Sequence, residues 1–266
     1  IMIDDGLVSL EVLKQISKGS LLCKTVIPGK IKNRKGVNFP GVSLDIPTLT
    51  SQDKKDLALS LKNKVDWIAL SFVRSHLDYD IIKSKIKEFG FNTPVIAKIE
   101  KWEAVKGMKK IINTFDAIMV ARGDLGVEVP GEKVPLIQKK VIEKSRNAGK
   151  PVVIATQLLD SMIERPVPTR AEISDIANSI LDGADALMVT GETAIGKYPK
   201  KVIKVLLKVI KETELSINYK NHFKSKGRKV LNTAKAISHA ACSVAHDQRI
   251  KTIVTMTHSG STARMV

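Results

Sequence analysis

Polar side chains that could do chemistry stand directly after short apolar runs at three places in the chain. Lys98 and Glu100 follow the first run, Gly123 and Asp124 follow the second, and Thr156 follows the third. Residues two apart on a strand point to the same face, so Lys98 and Glu100 are predicted to place an ammonium beside a carboxylate. Each residue taken alone is more typical of a salt bridge, a cap or a packing position. Their recurrence at successive strand ends favours one shared site.

The residue types at these positions suit phosphoryl chemistry with a divalent cation. Glu100 and Asp124 suit a hard cation such as Mg²⁺, which combines one or two protein carboxylates with waters and substrate oxygens. The ammonium of Lys98 suits a phosphoryl group whose charge must be balanced during transfer. The turn at Gly123 and Asp124 offers backbone N–H groups to an anion, as helix starts do.

The composition narrows the function classes. The net charge is +17, from 44 Lys and Arg against 27 Asp and Glu. The lysines are scattered along predicted helices, which is typical of solvated faces, so phosphorylated substrates are favoured over nucleic acid as partners. No run of about 18 apolar residues occurs, so no membrane span is expected. Cys23 and Cys242 lie far apart without metal-ligand spacing, which predicts the reducing cytoplasm.

The elements that position these residues change character at Pro47. Before it, short alternating runs (Leu7–Leu10 and Ser20–Val26) broken by Gly and Pro predict a small β-rich module over residues 1–46. After it, Thr50 is a good N-cap for a helix that ends near Asn63. Five strand–helix units then follow. The predicted units are Asp66–Val73 with Asp78–Phe89, Pro94–Ile99 with Glu103–Asn113, Ala117–Ala121 with Val134–Ala148, Pro151–Ala155 with Arg170–Leu181, and Ala186–Val189 with Pro199–Leu215.

Apolar strands alternating with amphipathic helices indicate an α/β fold with parallel strands covered by helices. A closed (β/α)₈ TIM barrel needs eight units, so residues 47–217 are predicted to supply the last five, with the β-rich segment inserted after the third strand. An open doubly wound sheet is the alternative, but no Gly-rich dinucleotide turn follows any strand. A helix at Ala234–His246 and a strand at Thr252–Thr257 predict the start of another α/β domain over residues 218–266.

One segment mimics a phosphate-binding P-loop. Gly191–Lys197 follows a strand and precedes a helix, but the next residue is Tyr198, so the hydroxyl that would hold Mg²⁺ is absent. We interpret this segment as a barrel-closing loop.

The sequence closely resembles pyruvate kinases along essentially its whole length. The Lys-Ile-Glu and Val-Ala-Arg-Gly-Asp-Leu-Gly runs are the most specific motifs. The segments that carry the resemblance are Met2–Gly6, Lys35–Gly41, Trp67–Arg74, Ala97–Glu100, Ile118–Gly126, Ala155–Gln157, Pro168–Glu172, Asp182–Asp185 and Gly191–Ala194. The resemblance implies the end of the lid (B) domain at 1–46, most of the barrel (A) domain at 47–217, and the start of the C-terminal regulatory domain at 218–266.

The resemblance implies transfer of a phosphoryl group from phosphoenolpyruvate to ADP, which gives pyruvate and ATP. Lys98 would stabilise the phosphoryl group in transfer, while Glu100 and Asp124 would hold Mg²⁺ or Mn²⁺. The substrate carboxylate would be bound by Gly123, Asp124 and Thr156. Thr156 would also lie near the carbon that is protonated.

Further expectations concern the lid, the assembly and the ends of the chain. Lys35 in the lid would reach the nucleotide phosphates. Thr257–Thr262 resembles the phosphate-binding loop of the family's allosteric effector site, half of which is expected beyond Val266. The family also implies K⁺, with ligands expected mainly upstream of this chain, and a homotetramer with Pro168–Glu172 near a subunit contact. The chain begins in mid-pattern without a secretory leader, so it is predicted to be an internal piece with little or no activity alone. Thr190 departs mildly from the usual family Ser.

Two other functions remain open from the residues alone. A Mg²⁺-dependent lyase acting on pyruvate-like acids would also use two carboxylates on neighbouring strands, but it leaves Lys35 and the lid without a role. A basic binding module would bind nucleic acid with a steep salt dependence and would ignore Mg²⁺.

Overall fold

The computed structural model describes residues 1–4, 6–31, 33, 35–42, 46–217, 233–258 and 260–266. The strands are β1 (Met2–Ile3), β2 (Val8–Ser17), β3 (Ser20–Ile27), β4 (Val37–Asn38), β5 (Ile68–Leu70), β6 (Val95–Ile99), β7 (Ala117–Ala121), β8 (Val152–Ala155) and β9 (Ala186–Met188). The α-helices are α1 (Ser51–Lys62), α2 (Leu77–Glu88), α3 (Trp102–Thr114), α4 (Arg122–Glu128), α5 (Val134–Ala148), α6 (Arg170–Asp182), α7 (Gly191–Ala194), α8 (Pro199–Ser216), α9 (Thr233–Asp247) and α10 (Ser261–Met265). Two short 3₁₀ turns span Gly131–Lys133 and Asp160–Ile163.

The first part of the chain forms an antiparallel sheet with strand order β3-β2-β1-β4. The predicted β-rich character of this segment is confirmed, although its first long strand extends well beyond the predicted Leu7–Leu10. Strands β2 and β3 form a hairpin whose register shifts at three points. Most of its side chains are exposed, including Leu13 and Ile16.

The five remaining strands form one parallel sheet in the order β5-β6-β7-β8-β9, the same order as in the sequence. An open doubly wound sheet reverses its strand order at a switch point, whereas a barrel adds each strand beside the preceding one. The observed order therefore matches five consecutive strands of a (β/α)₈ barrel. Within the described ranges, no strand pairs with the outer edge of β5 or of β9.

Local sequence signals explain where several helices begin and end. Thr50 and Asp53 form a capping box at the start of α1, and Thr169 and Glu172 form another at the start of α6. Each box satisfies two backbone groups that the first turn leaves unpaired. Helix α5 ends at Gly149, which adopts a left-handed conformation with φ of 67°.

The core lies between the parallel sheet and its helices. All five residues of β7 are buried, and β6 buries Val95, Ala97 and Ile99. This burial on both faces is typical of parallel strands covered by helices. Ile82 and Ile86 of α2 pack into the same cluster, as do Ile111 and Ile112 of α3.

Two aspartates at the amino-terminal end of the sheet tie neighbouring strands together. Asp116, just before β7, accepts a hydrogen bond from the backbone N–H of Val95, and Asp185, just before β9, accepts one from Val152. Tyr79 also donates to Asp116. Burial and the charge of Asp116 raise the pKa of Tyr79 to about 12, so its hydroxyl stays a donor. This end of the sheet is built for stability, which leaves the opposite end for chemistry.

The C-terminal part agrees only partly with the sequence prediction. Helix α9 confirms the predicted helix, but the predicted strand at Thr252–Thr257 is wrong. Val254 and Met256 are 86% and 96% exposed, and a parallel strand needs a neighbour to pair with, which the described ranges do not supply here. Asp5, Ser259 and residues 218–232 lie outside the described ranges, so parts of the Met2–Gly6 and Thr257–Thr262 motifs and the predicted boundary at 217–218 do as well.

Nowhere in the described ranges is a helix both long and apolar enough to cross a bilayer.

Candidate functional site

The ion pair between Lys98 and Glu100 lies at the carboxyl end of β6. Their side chains follow the alternation of the strand, and Lys98 Nζ lies 2.5 Å from Glu100 Oε1. The lysine side chain is 22% exposed, whereas the glutamate side chain is fully buried. The prediction that this spacing places an ammonium beside a carboxylate is confirmed.

Two residues just after the neighbouring strand β5 form hydrogen bonds with this pair. Glu100 Oε2 accepts a hydrogen bond of 2.7 Å from the backbone N–H of Phe72, and Lys98 Nζ donates one of 2.9 Å to Ser71 Oγ. Phe72 has a φ of 55°, an uncommon conformation that turns its N–H toward the carboxylate. Sequence reasoning missed Ser71 and Phe72, because their contacts depend on a segment 28 residues away from Glu100.

One oxygen of Glu100 lacks a well-formed hydrogen bond. Oε1 is buried and close to the Lys98 ammonium, but the contact does not have the direction of a hydrogen bond. A buried carboxylate oxygen with only an ion-pair partner can accept a further positive ligand. This geometry fits a hard cation at Glu100.

Asp124 lies in the first turn of α4, which begins directly after β7. Its side chain is half-buried and lines a cavity of about 860 Å³ together with Ser71 and Phe72. The cavity extends to Gly36 and Val37 of the lid. Asp124 therefore shares an open space with the residues that contact the Lys98–Glu100 pair, although Lys98 and Glu100 themselves do not line it.

Thr156 and Gly123 meet where β7 and β8 end. The backbone N–H of Gly123 donates a hydrogen bond of 2.8 Å to Thr156 Oγ1, and the Thr156 hydroxyl donates one of 2.7 Å to the carbonyl of Ala155. Thr156 has a φ of 68°, which carries its hydroxyl away from the usual strand direction toward α4. The two predicted residues are thus in direct contact.

Lys35 lies in the lid, apart from the barrel residues. Its Nζ forms an ion pair of 2.8 Å with Asp4 Oδ1, and the Asp4 N–H donates to the carbonyl of Gly36. The side chain of Lys35 is 38% exposed. The next residue, Gly36, lines the cavity that reaches Asp124, whereas Lys35 itself does not.

The residues present fit a cation that takes only part of its ligands from protein. In the part of the chain that the structure describes, no three His, Cys, Asp or Glu side chains gather at one point. A cation held by Glu100 and Asp124 would therefore complete its shell with waters or ligand oxygens, which is the usual habit of Mg²⁺.

Arg122 lies within the Val-Ala-Arg-Gly-Asp-Leu-Gly run, but its contacts could not be predicted from the sequence. It is the first residue of α4 and is 8% exposed. Its guanidinium contacts the carbonyls of Thr156 and Gln157, residues that lie more than 30 positions away. An arginine directly after a fully apolar strand is the signal that could have marked it for attention.

Family models and curated relatives that match this chain point to the same family. The family model "Pyruvate kinase, barrel domain" matches residues 1–203, and "Pyruvate kinase, alpha/beta domain" matches residues 235–266. Pyruvate kinase 2 of Synechocystis is 44% identical over 268 residues, which cover 100% of this chain and 45% of the relative. Pyruvate kinase of Corynebacterium efficiens is 45% identical, covering 99% of this chain and 55% of the relative.

A solved structure shows the same fold. The crystal structure of a pyruvate kinase from Cryptosporidium parvum superposes with a TM-score of 0.90 at 39% identity, covering 99% of this chain and 56% of that one. The chain therefore spans about half the length of the relatives it matches.

Proposed function

Because this chain belongs to the pyruvate kinase family, we propose that it carries the site where the phosphoryl group of phosphoenolpyruvate passes to ADP. The bond between phosphorus and the enol oxygen breaks, a bond to a terminal oxygen of ADP forms, and the enolate takes up a proton at carbon to give pyruvate. The observation that supports this proposal best is the Lys98–Glu100 pair at the open end of the sheet, beside the cavity shared by Asp124 and the lid.

Glu100 and Asp124 are the proposed ligands of Mg²⁺ or Mn²⁺. Such a cation supplies charge neutralisation on the phosphoryl and enolate oxygens. The buried Glu100 Oε1, which accepts no hydrogen bond, and the half-buried Asp124 support this assignment. K⁺ is also proposed, with its ligands mainly outside this chain.

Lys98 is proposed to balance the charge of the phosphoryl group as it moves between the two oxygens. Its ammonium is fixed by Glu100 and Ser71, so it needs little reorganisation during transfer. Gly123, Asp124 and Thr156 are proposed to bind the substrate carboxylate, with Thr156 near the carbon that is protonated. The contact between the Gly123 N–H and the Thr156 hydroxyl supports placing both at one subsite.

Lys35 is proposed to bind the nucleotide phosphates from the lid. Closure of the lid over the cavity would bring its ammonium toward ADP and would exclude water, which favours transfer to ADP over hydrolysis.

We propose this activity for the protein with a complete barrel. The described strands form an arc of five, and a closed ring of eight is what holds the open end of such a barrel in shape. We propose that the complete protein catalyses the last step of glycolysis in the cytoplasm. It would do so as a homotetramer in which Pro168–Glu172 lies near a subunit contact.

The test is a steady-state assay of the complete protein with phosphoenolpyruvate, ADP and Mg²⁺. Pyruvate and ATP should form in equal amounts, and both should require ADP and the metal. Cleavage of a carbon–carbon bond without nucleotide would instead support a lyase. Binding of nucleic acid with a steep salt dependence, without turnover, would support a basic binding module.

A further inference from the structure

The turn that follows β8 has an unusual backbone. Thr156 and Gln157 have φ values of 68° and 53°, so two successive residues with side chains adopt the left-handed conformation. Such a conformation persists only where surrounding contacts hold it in place. The next two residues, Leu158 and Leu159, are fully buried.

Arg122 holds the carbonyl groups of this turn. Its Nε and Nη2 donate to the carbonyl of Thr156 at 3.1 and 2.9 Å, and Nη2 also donates to the carbonyl of Gln157 at 2.8 Å. Its Nη1 is paired with Asp175 of α6 at 2.5 Å. Three of its four contacts thus go to the backbone of the turn.

Glu192 holds the amide groups of the same turn. It is 1% exposed, and its Oε1 accepts hydrogen bonds from Leu158 and Leu159 at 3.2 and 3.0 Å. Its Oε2 accepts one of 2.8 Å from Thr190, at the end of β9. Glu192 belongs to the Gly191–Ala194 motif, to which the proposed reaction assigns no role.

The two side chains complement the peptide dipoles of the turn. A buried cation faces the carbonyl oxygens of Thr156 and Gln157, and a buried anion faces the N–H groups of the next two residues. Hydrogen bonds to charged groups are stronger than those between neutral groups, so the turn is held from both sides. Holding the turn in this way fixes the Thr156 hydroxyl where it accepts a hydrogen bond from the Gly123 N–H.

We propose that Arg122 and Glu192 are positioning residues that fix the Thr156 hydroxyl for the proposed reaction. The inference rests on the proposed function, because Thr156 is the residue through which both act. The Arg122 guanidinium contacts only backbone atoms of the turn. Replacing Arg122 should therefore have little further effect on catalysis when the Thr156 hydroxyl is already absent.

A double-mutant cycle in the complete protein tests this dependence. Arg122→Gln should lower kcat about 100-fold, since a displacement of about 1 Å at a reacting group has effects of that size. Thr156→Val, which removes the hydroxyl but keeps the shape, should lower it by a similar factor. The double variant should be little worse than either single variant, because contacting residues that act as a unit are not additive. If the fold-losses in kcat of the two single variants multiply in the double variant, the proposal is overturned.

A second readout isolates the protonation step. Exchange of the pyruvate methyl hydrogens in D₂O is the reverse of that step, so it should slow in Arg122→Gln and Glu192→Gln as it does in Thr156→Val. Arg122→Lys, which keeps the charge but loses the forked contact, should fall between wild type and Arg122→Gln. The control Lys139→Gln breaks an outer pair with Asp182 and should leave exchange unchanged.

Hydrogen exchange at the backbone separates failure of this inference from failure of the proposed function. If the wild-type protein does not transfer phosphate, the proposed function fails, but the turn can still be examined. The N–H groups of Leu158 and Leu159 should exchange at least about tenfold faster in Glu192→Gln and Arg122→Gln than in wild type. Unchanged exchange would overturn the proposed clamp. If Arg122→Gln does not fold, Arg122→Lys and Glu192→Gln carry the same comparison.

Discussion

Replacing Lys98 with Met tests the charge at the centre of the proposed site. Lys98 Nζ lies 2.5 Å from Glu100 Oε1. At that distance the Coulomb attraction is about 7 kcal/mol for an effective dielectric constant of roughly 20. Desolvation offsets much of it, so the free energy of unfolding should fall by about 3 kcal/mol, because a buried carboxylate loses its partner.

The same variant should lose far more activity than stability alone explains. The ammonium that balances the phosphoryl charge is gone, so kcat should fall by about 10²- to 10³-fold. The carboxylates of Glu100 and Asp124 are intact, so the affinity for Mn²⁺ should stay within about threefold of the wild-type value. Urea unfolding, steady-state kinetics and calorimetric titration of Mn²⁺ measure the three quantities.

Lys101 offers a matched control. Its Nζ lies 2.5 Å from Glu128 Oε1, and the two side chains are 19% and 3% exposed, close to the values for the Lys98 pair. Lys101 also lines the cavity, but its ammonium is paired with Glu128 and has no proposed contact with the phosphoryl group. Lys101→Met should therefore cost similar stability but leave kcat close to wild type. The double variant Lys98→Met/Glu100→Gln should regain most of the stability, since no uncompensated charge remains, while kcat stays low. Near-normal turnover of Lys98→Met, or recovery of kcat in the double variant, would refute the role of the ammonium.

Three further predictions concern the metal, the lid and the acid stability. Glu100→Ala should weaken Mn²⁺ binding at least about tenfold by calorimetry, because one of two proposed protein ligands is lost. Lys35→Met should raise the KM for ADP about tenfold in steady-state assays and leave the KM for phosphoenolpyruvate unchanged, because the lid lysine is proposed to contact only the nucleotide. Burial raises the pKa of Glu172, but hydrogen bonds from Ser161 and Thr169 outweigh it and hold the pKa below its ordinary value of 4.5. Glu172→Gln should therefore cost about 1 kcal/mol in urea unfolding at pH 7, where the wild-type carboxylate is ionised. That cost should disappear as the pH falls through the folded pKa.

Each of these has a plain contradicting result. Full Mn²⁺ affinity in Glu100→Ala would remove that carboxylate from the ligand set. An equal rise in both KM values for Lys35→Met would point to a general disturbance of the lid. A cost of Glu172→Gln that is the same at pH 3 and pH 7 would show that the charge of the carboxylate does not matter.

Elements with strong local signals could be predicted closely from the sequence. The predicted bounds of β7 (Ala117–Ala121) and α5 (Val134–Ala148) are those of the structure. Strand β7 is an unbroken apolar run that directly follows Asp116, and α5 is an amphipathic pattern that ends at Gly149. Helix α1 likewise follows its capping box.

Elements that depend on tertiary contacts could not be predicted. Helix α4 contains Gly123 and Gly126, each of which disfavours a helix by about 1 kcal/mol, and it has no side-chain cap. The contact between its Gly123 N–H and Thr156 supplies what the local sequence lacks. The predicted strand at Thr252–Thr257 failed for the opposite reason, since its apolar pattern found no partner.

The contacts of the candidate site also divide into those that the sequence predicts and those that depend on the tertiary fold. The pairing of Lys98 with Glu100 follows from the period of a strand, so the sequence predicted it. The amide of Phe72 and the guanidinium of Arg122 act across 28 and 34 residues, and no local pattern reveals them.

The strand order of the parallel sheet has a consequence for how the protein is made. Each strand pairs with the one synthesised just before it, so the arc can grow strand by strand while translation continues. In the complete barrel proposed above, joining the outer edges of β5 and β9 to further strands would link segments that lie far apart in the sequence. Ring closure is therefore expected to be the slow step of folding. A nascent chain that pauses before this step would expose unpaired backbone groups along two strand edges, where chaperones or other nascent chains could bind.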